Sequence, residues 1–207
     1  MQDFSVLNIF LLVLGGGLAG FINTLAGGGS FLTIPLLIFM RLPPTVANAT
    51  NRIGVFLQSL TATRQLHSHG VFPVRFSLII VIPAVLGSVL GTYGAMVISD
   101  AAFKKYLAVF MVLMTLGTFF KPAAMLPRPE TTYSLKRWAL LWVLFFTIGL
   151  YGGFIQAGVG FLIIAATVLT GYDLVAGNAI KSFVIFLLTC VSLAIFWFGG
   201  KVQVVPG

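Results

Sequence analysis

The sequence predicts an all-α polytopic membrane protein made of two repeats with glycine-broken helices, the second repeat incomplete. Three observations carry that reading. The 207 residues are 59% hydrophobic and 8% charged, with a mean hydropathy of +1.09. Soluble domains carry about 25% charged residues, and a water-soluble fold of this size could not hide so much apolar surface. The apolar residues run on without the two-residue alternation of a membrane barrel strand, so helices are the remaining way to satisfy a backbone in lipid. Finally, short motifs recur in order along the two halves.

Taken in chain order, apolar runs fall at 5–26, 30–40, 45–66, 73–98, 103–120, 137–157, 160–170 and 174–198. A bilayer span needs about 20 residues at 1.5 Å each. Runs 30–40 and 160–170 are too short to cross alone, and each follows a glycine-rich break, so both are expected to be half-helices of discontinuous or re-entrant elements. The residues before the first run hold Asp3 and no Lys or Arg, a poor signal-peptide start, which predicts a retained helix. The longest polar stretch, with Lys121, Arg128, Lys136, Arg137 and three prolines, divides the chain into a first repeat (1–120), a basic cytoplasmic linker (121–136) and a partial second repeat (137–207). The segment with Arg64, His67, His69 and Arg75 is expected on the linker's side, two helices away, and Lys104 and Lys105 on the other.

The recurrences fix the correspondence between the halves. Gly20-Phe21-Ile22-Asn23 returns as Gly153-Phe154-Ile155-Gln156, and Ser30-Phe31-Leu32 as Gly160-Phe161-Leu162. Asn48-Ala49-Thr50-Asn51-Arg52 returns as Asn178-Ala179-Ile180-Lys181-Ser182. In the first half two further helices follow the last motif, and in the second half they are missing, which predicts a truncated chain or half of an assembly. Repeated halves with interrupted helices at matching positions are the sequence pointer to a transporter's binding site.

The net charge of +8, from 12 Lys+Arg against 4 Asp+Glu, sits mainly in connections, which favours membrane orientation over nucleic-acid binding. Cys190 lies in an apolar run and reads as a small hydrophobe. The spans hold no Ser/His/Asp, Cys/His or paired-carboxylate set, so no enzyme, cofactor or metal site is expected; His67 and His69 lack further ligands. Asp173 reads as the N-cap of the last helix and Thr45 as that of the third. Ala84, Gly87, Ser88, Gly91, Thr92 and Ala95 form a small-residue face for helix packing, within the molecule or between protomers.

The candidate substrate-binding residues lie at the breaks. Gly27, Gly28 and Gly29 free backbone N–H groups at the start of a half-helix, which attracts anions; Gly158 and Gly160 mark the matching break. Asn48, Asn51 and Arg52 open the next helix, with Asn178 and Lys181 in the equivalent region of the second half. Asn48 and Arg52 share a face, and Asn51, Gln58, Thr61 and Gln65 form a polar stripe that should turn away from lipid. Two positive helix ends and two cations imply an anionic substrate.

On Gly20–Pro35, Pro43–Arg52, Gly149–Ser182 and the Gly199-Gly200 ending, the sequence resembles the TauE/SafE-like sulfite exporter family, departing at Ala165, where proline is expected. The resemblance implies a helical protein of two related halves that moves sulfite, a sulfonate or a related organosulfur anion. The expected setting is a lipid bilayer, as a multi-pass cell-membrane protein, with a small anionic substrate, a homo-oligomer possible and no nucleic acid. An anion channel and a non-transporting scaffold are the rival readings.

Overall fold

The computed structural model describes residues 6–25, 27–119 and 133–204. All its regular elements are α-helices: α1 (Val6–Leu25), α2 (Ser30–Phe39), α3 (Pro44–Ser68), α4 (Val74–Val97), α5 (Asp100–Phe119), α6 (Leu135–Phe154), α7 (Val159–Leu169) and α8 (Leu174–Phe198). Each expected apolar run holds one helix, with ends moved by a few residues. By length and composition α4, α6 and α8 are long and apolar enough to cross a membrane. The linker residues 121–132, Lys121 and Arg128 among them, lie outside the described residues. Lys136 and Arg137, placed at the linker's end by the sequence, sit in the first turn of α6.

The helix ends follow local chemistry. Ser134 caps α6 by accepting from the Arg137 N–H at 3.4 Å, and Asp173 caps α8 by accepting from the Ala176 N–H at 2.7 Å. Thr45 is not the cap expected of it. α3 starts one residue earlier, behind Pro43, and the N–H and hydroxyl of Thr45 both donate to Asp100 Oδ1, at 2.9 and 2.7 Å. A carboxylate from the start of α5 thus serves the first turn of α3. Helices α2 and α7 close alike: Leu42 N–H reaches Leu37 O and Tyr172 N–H reaches Thr167 O, around left-handed Arg41 (φ 65°) and Gly171 (φ 92°).

Contacts fix the directions of the helices. The small face of α4 lies on α6, as its composition predicts, and the two run parallel. A Cβ at Gly149 would strike Ala84 O, and one at Gly153 would strike Ser88 O. Helices α3 and α8 run antiparallel, with Phe56 on Phe186 (ring centroids 5.5 Å apart) and Arg52 on Ser192. α2 folds back along α1, since Gly29 abuts Ala19 while Gly15 faces Leu36. α7 likewise returns toward the start of α6, where Tyr133 Oη donates to Thr170 O at 3.2 Å. The α1–α2 hairpin opens at the end of the bundle where α3 and α5 start. The α6–α7 hairpin opens at the opposite end, beside an aromatic cluster of Phe76, Tyr133, Trp138 and Tyr172. At 10 and 11 residues, α2 and α7 are about 15 Å long, half a hydrocarbon core.

The polar stripe of α3 divides. Asn51 and Gln58 turn to the α1–α2 hairpin, whereas Thr61 and Gln65 are exposed. Thr61 tolerates this because its hydroxyl donates to Leu57 O in its own helix at 2.8 Å, and Gln65 is in the last turn.

Candidate functional site

The two hairpins meet tip to tip. Gly27 has φ 88°, a left-handed conformation that glycine adopts without steric penalty. A Cβ placed there would lie 2.5 Å from Gly160 Cα, and one at Gly160 the same distance from Gly27 Cα. The phenylalanines that follow cross over: Phe161 covers Gly28, Phe31 covers left-handed Gly158 (φ 77°), and the two rings stack with centroids 6.4 Å apart. Gly29 is pinned against Ala19 of α1. The sequence suggests glycines that let a ligand approach the backbone. Here their missing side chains first let one break approach the other.

Each break is held by a cation from the other half. Arg52 of α3, fully buried, donates from Nη2 to Gly153 O (2.6 Å) and Gly152 O (3.1 Å) at the end of α6, and from Nη1 to Ser192 Oγ of α8 (2.6 Å). The Phe196 ring covers its face at 5.0 Å. Lys181 of α8, 2% exposed, donates from Nζ to Asn23 O and Thr24 O at the end of α1, both at 2.9 Å. Cations suit these positions, where the last carbonyls lack partners and the helix dipole is negative. Among the described residues neither cation meets a carboxylate: Asp100 serves Thr45 and Asp173 caps α8.

The amides complete the arrangement. Asn48 Nδ2 donates to Phe154 O at 3.0 Å, so Asn48 and Arg52, one turn apart, grip successive carbonyls of α6. Asn51 Nδ2 donates to Ser30 Oγ at 2.9 Å, and Asn51 Oδ1 accepts from Thr33, tying α3 to the first turn of α2. Asn178 stands apart; its backbone carbonyl accepts from Ser182 Oγ at 2.9 Å, and its buried Oδ1 has no partner. The structure therefore brings Gly27, Gly28, Gly158 and Gly160 to the tips, Asn48 and Arg52 to the end of α6, Lys181 to the end of α1, and Asn51 to α2.

Several residues here were not singled out by the sequence. Gln156, left-handed at φ 67° and 4% exposed, donates from Nε2 to Thr189 Oγ1 at 2.9 Å. Tyr151 Oη donates to Ala157 O at 2.5 Å and braces the same turn. The available signal for Gln156 was its correspondence with Asn23, whose Nδ2 donates to Gln58 Oε1 at 2.8 Å. Among the described residues no group of three His, Cys, Asp or Glu could hold a metal; His67 and His69 are exposed at the end of α3.

The family model for sulfite exporter TauE/SafE matches residues 12–207, a stretch that contains both glycine breaks and both buried cations. The chain belongs to the TauE/SafE sulfite exporter family. A "Probable membrane transporter protein" of Haemophilus influenzae is 30% identical over 202 residues, covering 97% of this chain and 78% of that protein. ORF9 of a Sinorhizobium species is 25% identical, over 98% of this chain and 77% of that protein. YfcA of Escherichia coli is 25% identical, over 89% and 68%. Both are likewise described as probable membrane transporter proteins. No solved structure matches the chain.

Proposed function

We propose that this family member is a multi-pass cell-membrane transporter, not an enzyme, that carries a small anion. Its substrate is sulfite, a sulfonate or a related organosulfur anion, bound where the tips of the two hairpins meet. Family membership and relatives described as membrane transporters support the transport reading. The observation that carries the anion is the pair Arg52 and Lys181, both buried and both bonded to neutral oxygens alone. Hydrogen bonds to carbonyls satisfy the donors but leave the charge in place, and an Arg at the centre of a span costs about 2.5–3.5 kcal/mol on insertion scales. A bound anion would offset that charge. The backbone N–H groups of Gly27–Gly29, Gly158 and Gly160 would replace part of its lost hydration, while Asn48 and Asn51 hold the two breaks in place and Asn178 lines the second half.

The test is thermal unfolding of the purified protein in detergent with sulfite, sulfate, thiosulfate, isethionate and chloride, followed by uptake into proteoliposomes. A ligand of the folded state at about 100 times its Kd stabilises by about 2.7 kcal/mol. One sulfur anion should do so, and Arg52→Gln and Lys181→Met should each remove the effect. Stabilisation that survives in both folded variants would place the anion elsewhere.

A further inference from the structure

The end of α6 holds more than a charge. Asn48 is fully buried, and its Nδ2 is committed to the Phe154 carbonyl, which can only accept. That partner fixes the orientation of the amide, so the atom left without a partner, Oδ1, is an acceptor. One turn along the same face, Arg52 has both terminal nitrogens engaged and its Nε–H without a partner. Buried polar groups without partners are rare, and each is expensive where water is excluded. A fully deprotonated oxyanion could answer only the Arg52 donor. Against Asn48 Oδ1 it would set one acceptor on another.

Building on the anion reading above, we infer that this site takes a monoanion that also carries an O–H donor, namely hydrogen sulfite or a hydroxyalkanesulfonate. The anionic oxygens take the Arg52 Nε–H and the O–H is given to Asn48 Oδ1. Dianions such as sulfate are excluded by the unmet acceptor, and alkylsulfonates bind weakly because they leave it buried and unpaired. Sites built to hydrogen-bond a substrate hydroxyl reject the analogue lacking it far more strongly than apolar pockets reject a size change.

Matched ligand pairs test this on the unmodified protein. Hydroxymethanesulfonate against ethanesulfonate, and isethionate against 1-propanesulfonate, each exchange a hydroxyl for a methyl at constant charge and nearly constant shape. Titration calorimetry of the purified full chain in detergent should show the hydroxyl member of each pair binding at least tenfold more tightly. Asn48→Leu should bring the two members within about twofold of each other. Equal affinity within both pairs, with binding of both lost in Arg52→Gln, would overturn the donor requirement while leaving the anion reading intact; the Asn48 oxygen would then be met by ordinary water. A full hydroxyl preference in Asn48→Leu would overturn the role given to Asn48. If neither sulfite nor any of the four sulfonates binds the wild type, the anion reading falls and this inference with it. The wild-type pairs decide the matter even where a variant fails to fold.

Discussion

Replacing Gly160 by Ala adds one methyl at the point where the hairpin tips touch. That methyl would lie 2.5 Å from Gly27 Cα and 3.0 Å from Gly27 O. Both obstacles are backbone, so no side-chain rotation relieves the clash; the tips must separate by about 1 Å to restore an ordinary contact. Overpacking of this kind costs about 1–3 kcal/mol. Gly160 lies outside the left-handed region, so the cost is steric alone. Gly27→Ala meets the same obstacle from the other side and adds about 1–2 kcal/mol for a side chain at φ 88°. It should be the worse of the two. The double variant should cost less than the sum, because one clash is shared.

Gly17→Ala in α1 is the control. A Cβ there meets nothing within 4 Å, and alanine is the better helix former by about 1 kcal/mol. Thermal unfolding in detergent should rank the proteins Gly17→Ala at or above wild type, then Gly160→Ala, then Gly27→Ala. For a chain of this size 1 kcal/mol moves Tm by about 2–4 °C, so Gly160→Ala should lose several degrees. A Gly160→Ala protein with the Tm and anion response of wild type would refute tip-to-tip contact as the reason for glycine at this break.

Substitutions at three further positions probe the supports. Asp100→Ala removes the acceptor of two Thr45 hydrogen bonds and should cost about 1–2 kcal/mol in unfolding, with a smaller loss for Asp100→Asn, which keeps an acceptor oxygen. Arg41→Gly relieves a left-handed side chain at the end of α2 and should stabilise by about 1 kcal/mol; a loss would show that the exposed Arg41 side chain makes a compensating contact. Tyr151→Phe leaves Ala157 O unpaired inside the protein and should cost about 1–3 kcal/mol, with weaker anion binding, because the turn that carries Gln156 loses its brace.

The helices were legible in the sequence because lipid leaves the backbone little choice, and run length alone then separates half-helices 30–40 and 160–170 from the long ones. The small face of α4 was equally plain, since only close backbone approach explains glycines at Gly87 and Gly91. What could not be read was pairing across the halves. Arg52 and Lys181 stood out as cations beside the breaks, but their partners are mostly backbone carbonyls, which every residue has and which leave no mark on composition. Thr45 was misjudged for a related reason. A threonine before a helix is an ordinary cap, and nothing local says that Asp100, 55 residues on, takes its hydroxyl. Gln156 entered the sequence reading only as the counterpart of Asn23, because its importance lies in a left-handed turn that the sequence around it, lacking a glycine at that position, does not announce.

The neutral partners of Arg52 make a sharp test of the charge argument. A carboxylate beside this guanidinium would satisfy the same N–H groups and also cancel the charge; carbonyls and a serine hydroxyl do only the first. Ser192 Oγ lies 2.6 Å from Arg52 Nη1, so Ser192→Asp places a carboxylate at the guanidinium, giving up the hydroxyl's hydrogen bond to Leu188 O at 2.7 Å in its own helix. Unit charges about 4 Å apart at an effective dielectric of about 20 attract by about 4 kcal/mol. The folded protein should therefore be as stable as wild type or more so, because a buried lone cation has gained a counter-ion. Anion binding should fall by about a hundredfold or more, because the charge that would hold the anion is already neutralised. Stability and binding then move in opposite directions, a result that misfolding cannot produce. Undiminished anion affinity in a folded Ser192→Asp protein would mean that Arg52 serves α6 as a structural cap and that the substrate answers to other charges.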